Sequence, residues 1–339
     1  MTAFNSFFIG RLEGSNVDIV QKYRDLLAMG ITSTREDVCW NSVECASNFD
    51  FSSLKTRIDV ADQLGIQIVW DLCSKGFPEG LSPQSVGFSD RFAAYCAAFA
   101  NFYSDYSSKA LFVVPIADIT FLSWHAHEHR ANFSASAGFN LKYHLCKAAI
   151  KGINSLRRAN PQCRIVMVEP LIRVHAGSYT EAEQLFELNE AQFQAMDIIA
   201  GRLYPELGGS EGHLDILGFN YSSNSQWEEG GKPLPWPEVF ERRVPLSSLL
   251  KMVANRYDRP IWVAETCYLG GHQFEWVEEI TNECLKAIDH GVQLQGLCIS
   301  LSDNSHMESE YLNAVRSCIR QTDQRLEEMA LPLSASAFG

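Results

Sequence analysis

Short apolar runs alternate with longer amphipathic ones along most of the chain. The short runs fall at residues 4–10, 31–35, 66–71, 111–118, 164–169, 214–220, 260–265 and 294–300. They are brief, rich in Val, Ile, Leu and Phe, and mostly closed by a polar residue, which is the pattern of strands covered on both faces. Between them, apolar positions recur at helical spacing over 17–29, 53–64, 91–106, 141–158, 245–257, 274–290 and 308–320. Gly30, Gly65 and Gly291 stand just past three of these helices, where a left-handed cap is wanted. Strands that alternate with helices pair in parallel, and eight of them in 339 residues fit a single α/β domain of the (β/α)8 TIM-barrel class. The competing arrangement is an open, doubly wound sheet. No Gly-rich phosphate fingerprint follows the first strand, which counts against it.

The barrel is expected to occupy residues 1–325, with 326–339 as a flexible tail that is small and polar at its end. Two connections, 121–140 and 222–244, exceed ordinary loop lengths and are expected to form part of a binding rim. Composition narrows the partners. Lys and Arg total 28 against 41 Asp and Glu, a formal charge of −13 that would repel a phosphate backbone, so nucleic acid is not an expected partner. The ten cysteines are scattered without a C-x-x-C pair, which reads as free thiols in a reducing compartment. Neither a signal-peptide pattern nor an apolar stretch of roughly 18–20 residues occurs, so the expectation is a cytoplasmic protein with no membrane span.

Barrel enzymes carry their chemistry at the C-terminal ends of the strands. Here Arg35 closes the second run, Asp71 the third, Asp118 the fourth, Glu169 the fifth, Asn220 with Tyr221 the sixth, Glu265 the seventh, and Ser300 with Asp303 the eighth. Strands four and seven of an eight-stranded barrel face each other across the mouth. A carboxylate on each, Asp118 and Glu265, is the arrangement glycoside hydrolysis requires: one protonates the leaving oxygen, the other attacks carbon or activates water. An ion pair with Arg35 is the structural alternative for Glu265.

Several strings resemble glycoside hydrolase family 1, the β-glucosidase-like barrels. Trp70-Asp71-Leu72 with Phe77-Pro78-Glu79-Gly80-Leu81 is similar to that family's His-Trp-Asp-Leu-Pro segment. Leu214-Asp215-Ile216-Leu217-Gly218-Phe219-Asn220-Tyr221 resembles its sixth strand, Pro260-Ile261-Trp262-Val263-Ala264-Glu265-Thr266 the strand that ends in the nucleophile, and Ser300-Leu301-Ser302-Asp303-Asn304 the start of its sugar-binding loop. The resemblance implies a catalytic barrel with Glu265 as nucleophile and Arg35 as the arginine beside it. It also implies substrate contacts from Trp70, Asp71, Asn220 and Tyr221.

The departures from the family lie at the site. The family's strand-four Asn-Glu pair, which binds the sugar 2-hydroxyl and supplies the acid/base, stands here as Ala117-Asp118; its His before Trp-Asp is Val69; its second tyrosine after the strand-six Asn is Ser222; and its Glu and Trp on the eighth loop are His306 and Met307. Three readings follow: Asp118 is the acid of a rearranged site, Glu128 or Glu169 replaces it, or ordinary hydrolysis has been lost.

The string Trp124-His125-Ala126-His127-Glu128-His129-Arg130 raises a metal reading, with His125, His127, His129, His175, His306 and Asp118 as candidate ligands for a divalent ion. Its spacing puts the three histidines on one face of neither a helix nor the fourth strand, so no cofactor is favoured. Trp227 and Trp236 suit a rim, Trp262 the core. The leading expectation is a glycosidase-like hydrolase or transglycosidase for a small specialised glycoside or glycosylated metabolite of a biosynthetic pathway, with Tyr221, Trp227 and His306 shaping the substrate site. A repurposed, metal-assisted barrel enzyme and a non-catalytic sugar-binding protein are the alternatives.

Overall fold

The computed structural model describes residues 3–12, 18–45, 48–74, 76–128, 135–177, 181–268, 272–301 and 309–330. Eight parallel strands close into a barrel: β1 (Phe8–Leu12), β2 (Ser33–Asp37), β3 (Gln67–Asp71), β4 (Phe112–Val114), β5 (Arg164–Pro170), β6 (Ile216–Asn220), β7 (Ile261–Thr266) and β8 (Leu294–Leu301). Each pairs with its neighbours in sequence order, and β8 returns to β1 with Phe8 opposite Leu297. The expected single (β/α)8 barrel is therefore the observed fold.

Alternation along the strands separates two cores. Ile9, Val69, Val114, Val166, Val168, Ile216, Trp262 and Cys298 fill the barrel interior, and Phe4 closes its lower end against Phe112 and Trp262. The outward residues between them, such as Ile68, Trp70, Val113, Leu217 and Val263, meet the surrounding helices. The interior is tight: a Cβ on Gly218 would lie 2.7 Å from Val168 Cγ2 and 3.1 Å from the Ala264 Cβ, so β6 closes there only because residue 218 has no side chain.

Several boundaries differ from the sequence expectation. The first strand runs over Phe8–Leu12 instead of 4–10, because Phe4 is used as a plug, and this brings Arg11 into the barrel wall. β4 stops at Val114, and Asp118 follows three bend residues in a left-handed conformation, φ 58°. The expected long loop over 121–140 is largely helical, as Ile119–Glu128 and the first turns of Ala135–Ala159. The first of these helices is anchored by a carboxylate on β5, a contact that no local pattern reveals. Helices Ala182–Glu190 and Gln194–Ile199 fill the connection from β5 to β6. In the 222–244 segment, Gln226–Glu228 pairs with Arg173–His175 and Lys232–Pro233, a small sheet beside the mouth. The last helix is Ser309–Ala330, so the expected boundary at 325/326 falls within it, and 331–339 lie outside the described residues.

Cys73, Cys96, Cys146, Cys163, Cys284, Cys298 and Cys318 are free and buried, in line with the thiol reading. Among the described residues no helix is long and apolar enough to cross a membrane.

Candidate active site

At the C-terminal end of the barrel, Asp118, Asn220, Tyr221 and Glu265 line one cleft of about 430 Å³. Phe121 and Trp124 from the helix after Asp118, Pro170 at the end of β5 with Ile172 beyond it, and Trp227 from the small sheet form much of its wall, with the segment after β6 and the end of β7 completing it. The floor is polar and the walls are largely apolar, which is how small-molecule sites are commonly built.

Glu265 reaches this cleft because β7 is irregular. Trp262 and Ala264 face the interior, so strict alternation would send Glu265 outward. The register slips against both neighbours: Val263 and Glu265 oppose Phe219 and Asn220 on one side, Val263 and Thr266 oppose Leu297 and Ile299 on the other. This bulge turns Glu265 into the mouth, and Thr266 takes the outward position, where its hydroxyl accepts a 2.9 Å hydrogen bond from Trp276 Nε1. Two cations meet the carboxylate. Glu265 Oε2 lies 3.3 Å from Arg11 Nη1 and 3.7 Å from Arg35 Nη1, while the Glu265 side chain keeps 32% of its surface exposed.

Arg35 is buried and points inward from β2. Its Nε and Nη2 donate to Asp71 Oδ2 at 3.0 and 2.5 Å, and its Nη1 donates to the Ala264 carbonyl at 3.1 Å. Asp71 is fully buried; burial raises its carboxyl and Arg35 opposes that rise. The ion pair expected between Arg35 and Glu265 is thus one edge of a larger network in which Arg11 also bridges to Asp37 at 3.5 Å. Arg11 is a site residue that the sequence reading missed. The signal was a cation directly after an apolar run, hidden by ending that run at Gly10, two residues before the strand ends.

Asp118 stands in a different setting. It is half-buried, and Asn220 Nδ2 donates to both of its oxygens, at 2.9 and 2.8 Å. Burial pushes its carboxyl up to about 6; Arg35 pulls it down, and the charges of Asp71 and Glu265 push it further up. A carboxyl raised in this way keeps a proton into the pH range where it can donate one.

Glu169, the other candidate acid, sits at the end of β5 with its side chain fully buried and absent from the cleft wall. Its Oε1 accepts from Ile119 N at 2.8 Å and its Oε2 from Thr120 N at 3.0 Å. It therefore satisfies the first free N–H groups of helix Ile119–Glu128. Trp70 also lies away from the cleft. It points outward from β3, completely buried, with its ring edge-on to Phe99 at 5.8 Å, because the strand alternation that brings Asp71 inward sends Trp70 to the helix layer.

Trp227 lines the cleft, whereas Trp236 is buried in an aromatic cluster with Tyr268 and Trp276. Trp262 lies in the barrel core. The Tyr221 ring stacks on Trp276, and its hydroxyl accepts from Gln226 Nε2 at 2.8 Å. His175 sits on the small sheet, its Nε2 2.9 Å from Gln226 Oε1, with burial lowering its imidazole. The side chains of His125, His127 and Glu128, and all of His129, Asp303 and His306, lie outside the described residues. Among the described residues no group of three or more His, Cys, Asp or Glu is gathered as a metal site would need.

No protein-family model matches the chain, and no curated protein matches it by sequence. Solved structures do. A family 1 β-glucosidase from Thermotoga maritima is similar at 15% identity over 91% of this chain and 87% of that one, with a TM-score of 0.69. The β-glucosidase from the same organism in complex with glucoimidazole is 16% identical over 83% of this chain and 77% of that one, TM-score 0.68. Its complex with castanospermine is 15% identical over 88% of each chain, TM-score 0.68. At this identity the likeness shows a shared barrel fold.

Proposed function

We propose that the protein is a glycoside hydrolase-like enzyme in which Glu265 is the nucleophile or base and Asp118 the general acid. The observation that carries this reading is the pair of carboxyl groups on one cleft in unlike surroundings. Glu265 is open to the cleft and faces two guanidinium groups, whereas Asp118 is half-buried and raised to about 6. Two carboxyl groups held apart in this way can divide one proton-transfer cycle between them.

In the reaction, Asp118 gives its proton to the glycosidic oxygen as the bond to the anomeric carbon breaks. Glu265 attacks that carbon or takes a proton from the water that does. Asn220, which bridges β6 to Asp118, holds the acid on the leaving-group side. Asp71 acts from beneath by holding Arg35 against the end of β7. Trp227, Phe121 and Trp124 offer apolar surface for stacking. A cleft of about 430 Å³ suits a small glycoside or glycosylated metabolite better than a polymer. The inhibitor-bound Thermotoga structures, matched in fold, agree with a ligand of that size.

The test is hydrolysis of a panel of 4-nitrophenyl glycosides that covers common sugars in both anomeric forms. Replacing Glu265 by Gln should lower kcat/KM on the best of them by more than about 10³-fold with the fold retained. An unchanged rate in Glu265→Gln rules the assignment out.

A further inference from the structure

Asp118 owes its position to backbone contacts on both of its flanks. A left-handed conformation, φ 58° here, is unfavourable at a residue other than glycine, so something must hold it. Its own N–H donates to the Val168 carbonyl at 2.9 Å, and its own carbonyl accepts from Leu122 N at 2.8 Å, inside the helix that follows. The next two N–H groups, of Ile119 and Thr120, both end on the carboxylate of Glu169, the neighbour of Val168 on β5. Two consecutive residues of β5 thus grip three consecutive N–H groups, and Asp118 is the first of the three.

We propose that Glu169 is a positioning residue for the acid: by clamping the Ile119 and Thr120 N–H groups it fixes the turn that aims the Asp118 carboxyl into the cleft. This rests on the reading of Asp118 as general acid. Glu169 itself touches no cleft surface, and its outward direction on β5 puts it beneath the helix instead of beside a substrate. The groups around it fit a fixed anchor. Burial pushes its carboxyl up, the Thr120 contact opposes that, Asp118 adds to it, and the buried Lys142 ammonium from helix Ala135–Ala159 counters it. Lys142 is held in turn by Gln194 Oε1 at 3.0 Å, and the Cys146 thiol lies on the same helix face.

A clamp on the acid has a kinetic signature that a general loss of stability lacks. Departure of phenol requires protonation, whereas departure of 2,4-dinitrophenol hardly does, so a displaced acid slows the first far more than the second. With the sugar that the wild type cleaves fastest, Glu169→Gln should lower kcat/KM on the phenyl glycoside by about 30-fold or more and on the 2,4-dinitrophenyl glycoside by less than about 3-fold. Glu169→Asp keeps the charge but withdraws the oxygens by one methylene, and it should show the same split; it decides the question if the Gln variant does not fold.

Asp118→Asn is the control. If it shows the split and neither Glu169 variant does, the clamp is overturned while the acid assignment stands. If Asp118→Asn shows no split, the acid assignment fails and the clamp with it. An equal fall on both glycosides in the Glu169 variants also overturns the proposal, since that is the mark of a purely structural role.

Discussion

The ends of β4 and β7 carry the same functional group and treat it in opposite ways. At β7, a bulge delivers Glu265 to the cleft against the alternation of its strand, and two arginines meet it there. At β4, the strand stops early and a strained turn delivers Asp118, whose immediate polar partner is the neutral amide of Asn220. The lesson is that surroundings can separate two like groups. In the proposed reaction, Glu265, open to the cleft beside two arginines, attacks or activates water, and Asp118, desolvated beside an amide, carries the proton. Both deliveries depend on irregular backbone, bulge and left-handed turn, mounted on an otherwise regular barrel.

The largest effect on this contrast should come from removing the buried cation under β7. Arg35→Met leaves Asp71 buried without its principal partner and should cost about 3–5 kcal/mol of stability, measured by urea denaturation at neutral pH. Arg11 lies closer to solvent, with 14% of its side chain exposed, and Arg11→Gln should cost well under half as much. Equal losses for the two variants would mean that the network is shared evenly and that Arg35 is not its anchor.

A smaller effect of opposite sign belongs to β4. The folded carboxyl of Asp118 is raised from its ordinary value of 3.8 to about 6. The folded state therefore binds this proton more tightly than the unfolded one. The stabilisation is fully present below about pH 4 and is lost as the pH rises through about 6, leaving an ionised, desolvated group at neutral pH. Asp118→Asn should consequently raise stability at pH 8 by on the order of 1–3 kcal/mol and change it little near pH 4. Denaturation of both proteins at the two pH values measures this, and a variant less stable than wild type at pH 8 would contradict it.

Much of the barrel was legible in the sequence because β3, β5, β6 and β7 are short, mostly apolar runs with polar groups at or beside their ends, and burial on both faces makes such runs stand out. Asp118, Asn220 and Glu265 could be picked from the same strand ends. What could not be read was direction. Trp70 and Asp71 are adjacent and look equally available, yet one faces the helices and the other the barrel axis. Glu169 ends β5 as Glu265 ends β7, but no bulge turns it inward, and it caps a helix instead. That helix was missed for the same reason: the group that satisfies its first turn comes from about fifty residues later in the chain. Arg11 was lost to a strand boundary, since Phe4 spends its apolar surface as a plug and not as a strand residue.

The most direct test of the central claim is the pH dependence of kcat/KM for the wild type and Asp118→Asn on the phenyl glycoside of the preferred sugar. The substrate is chosen because its leaving group departs only with a proton. If Asp118 is the proton carrier, the wild-type rate falls as the pH rises through about 6, and the residual rate of Asp118→Asn lacks that limb. If the limb persists in Asp118→Asn, another group carries the proton, and the contrast between the two strand ends does not assign their roles.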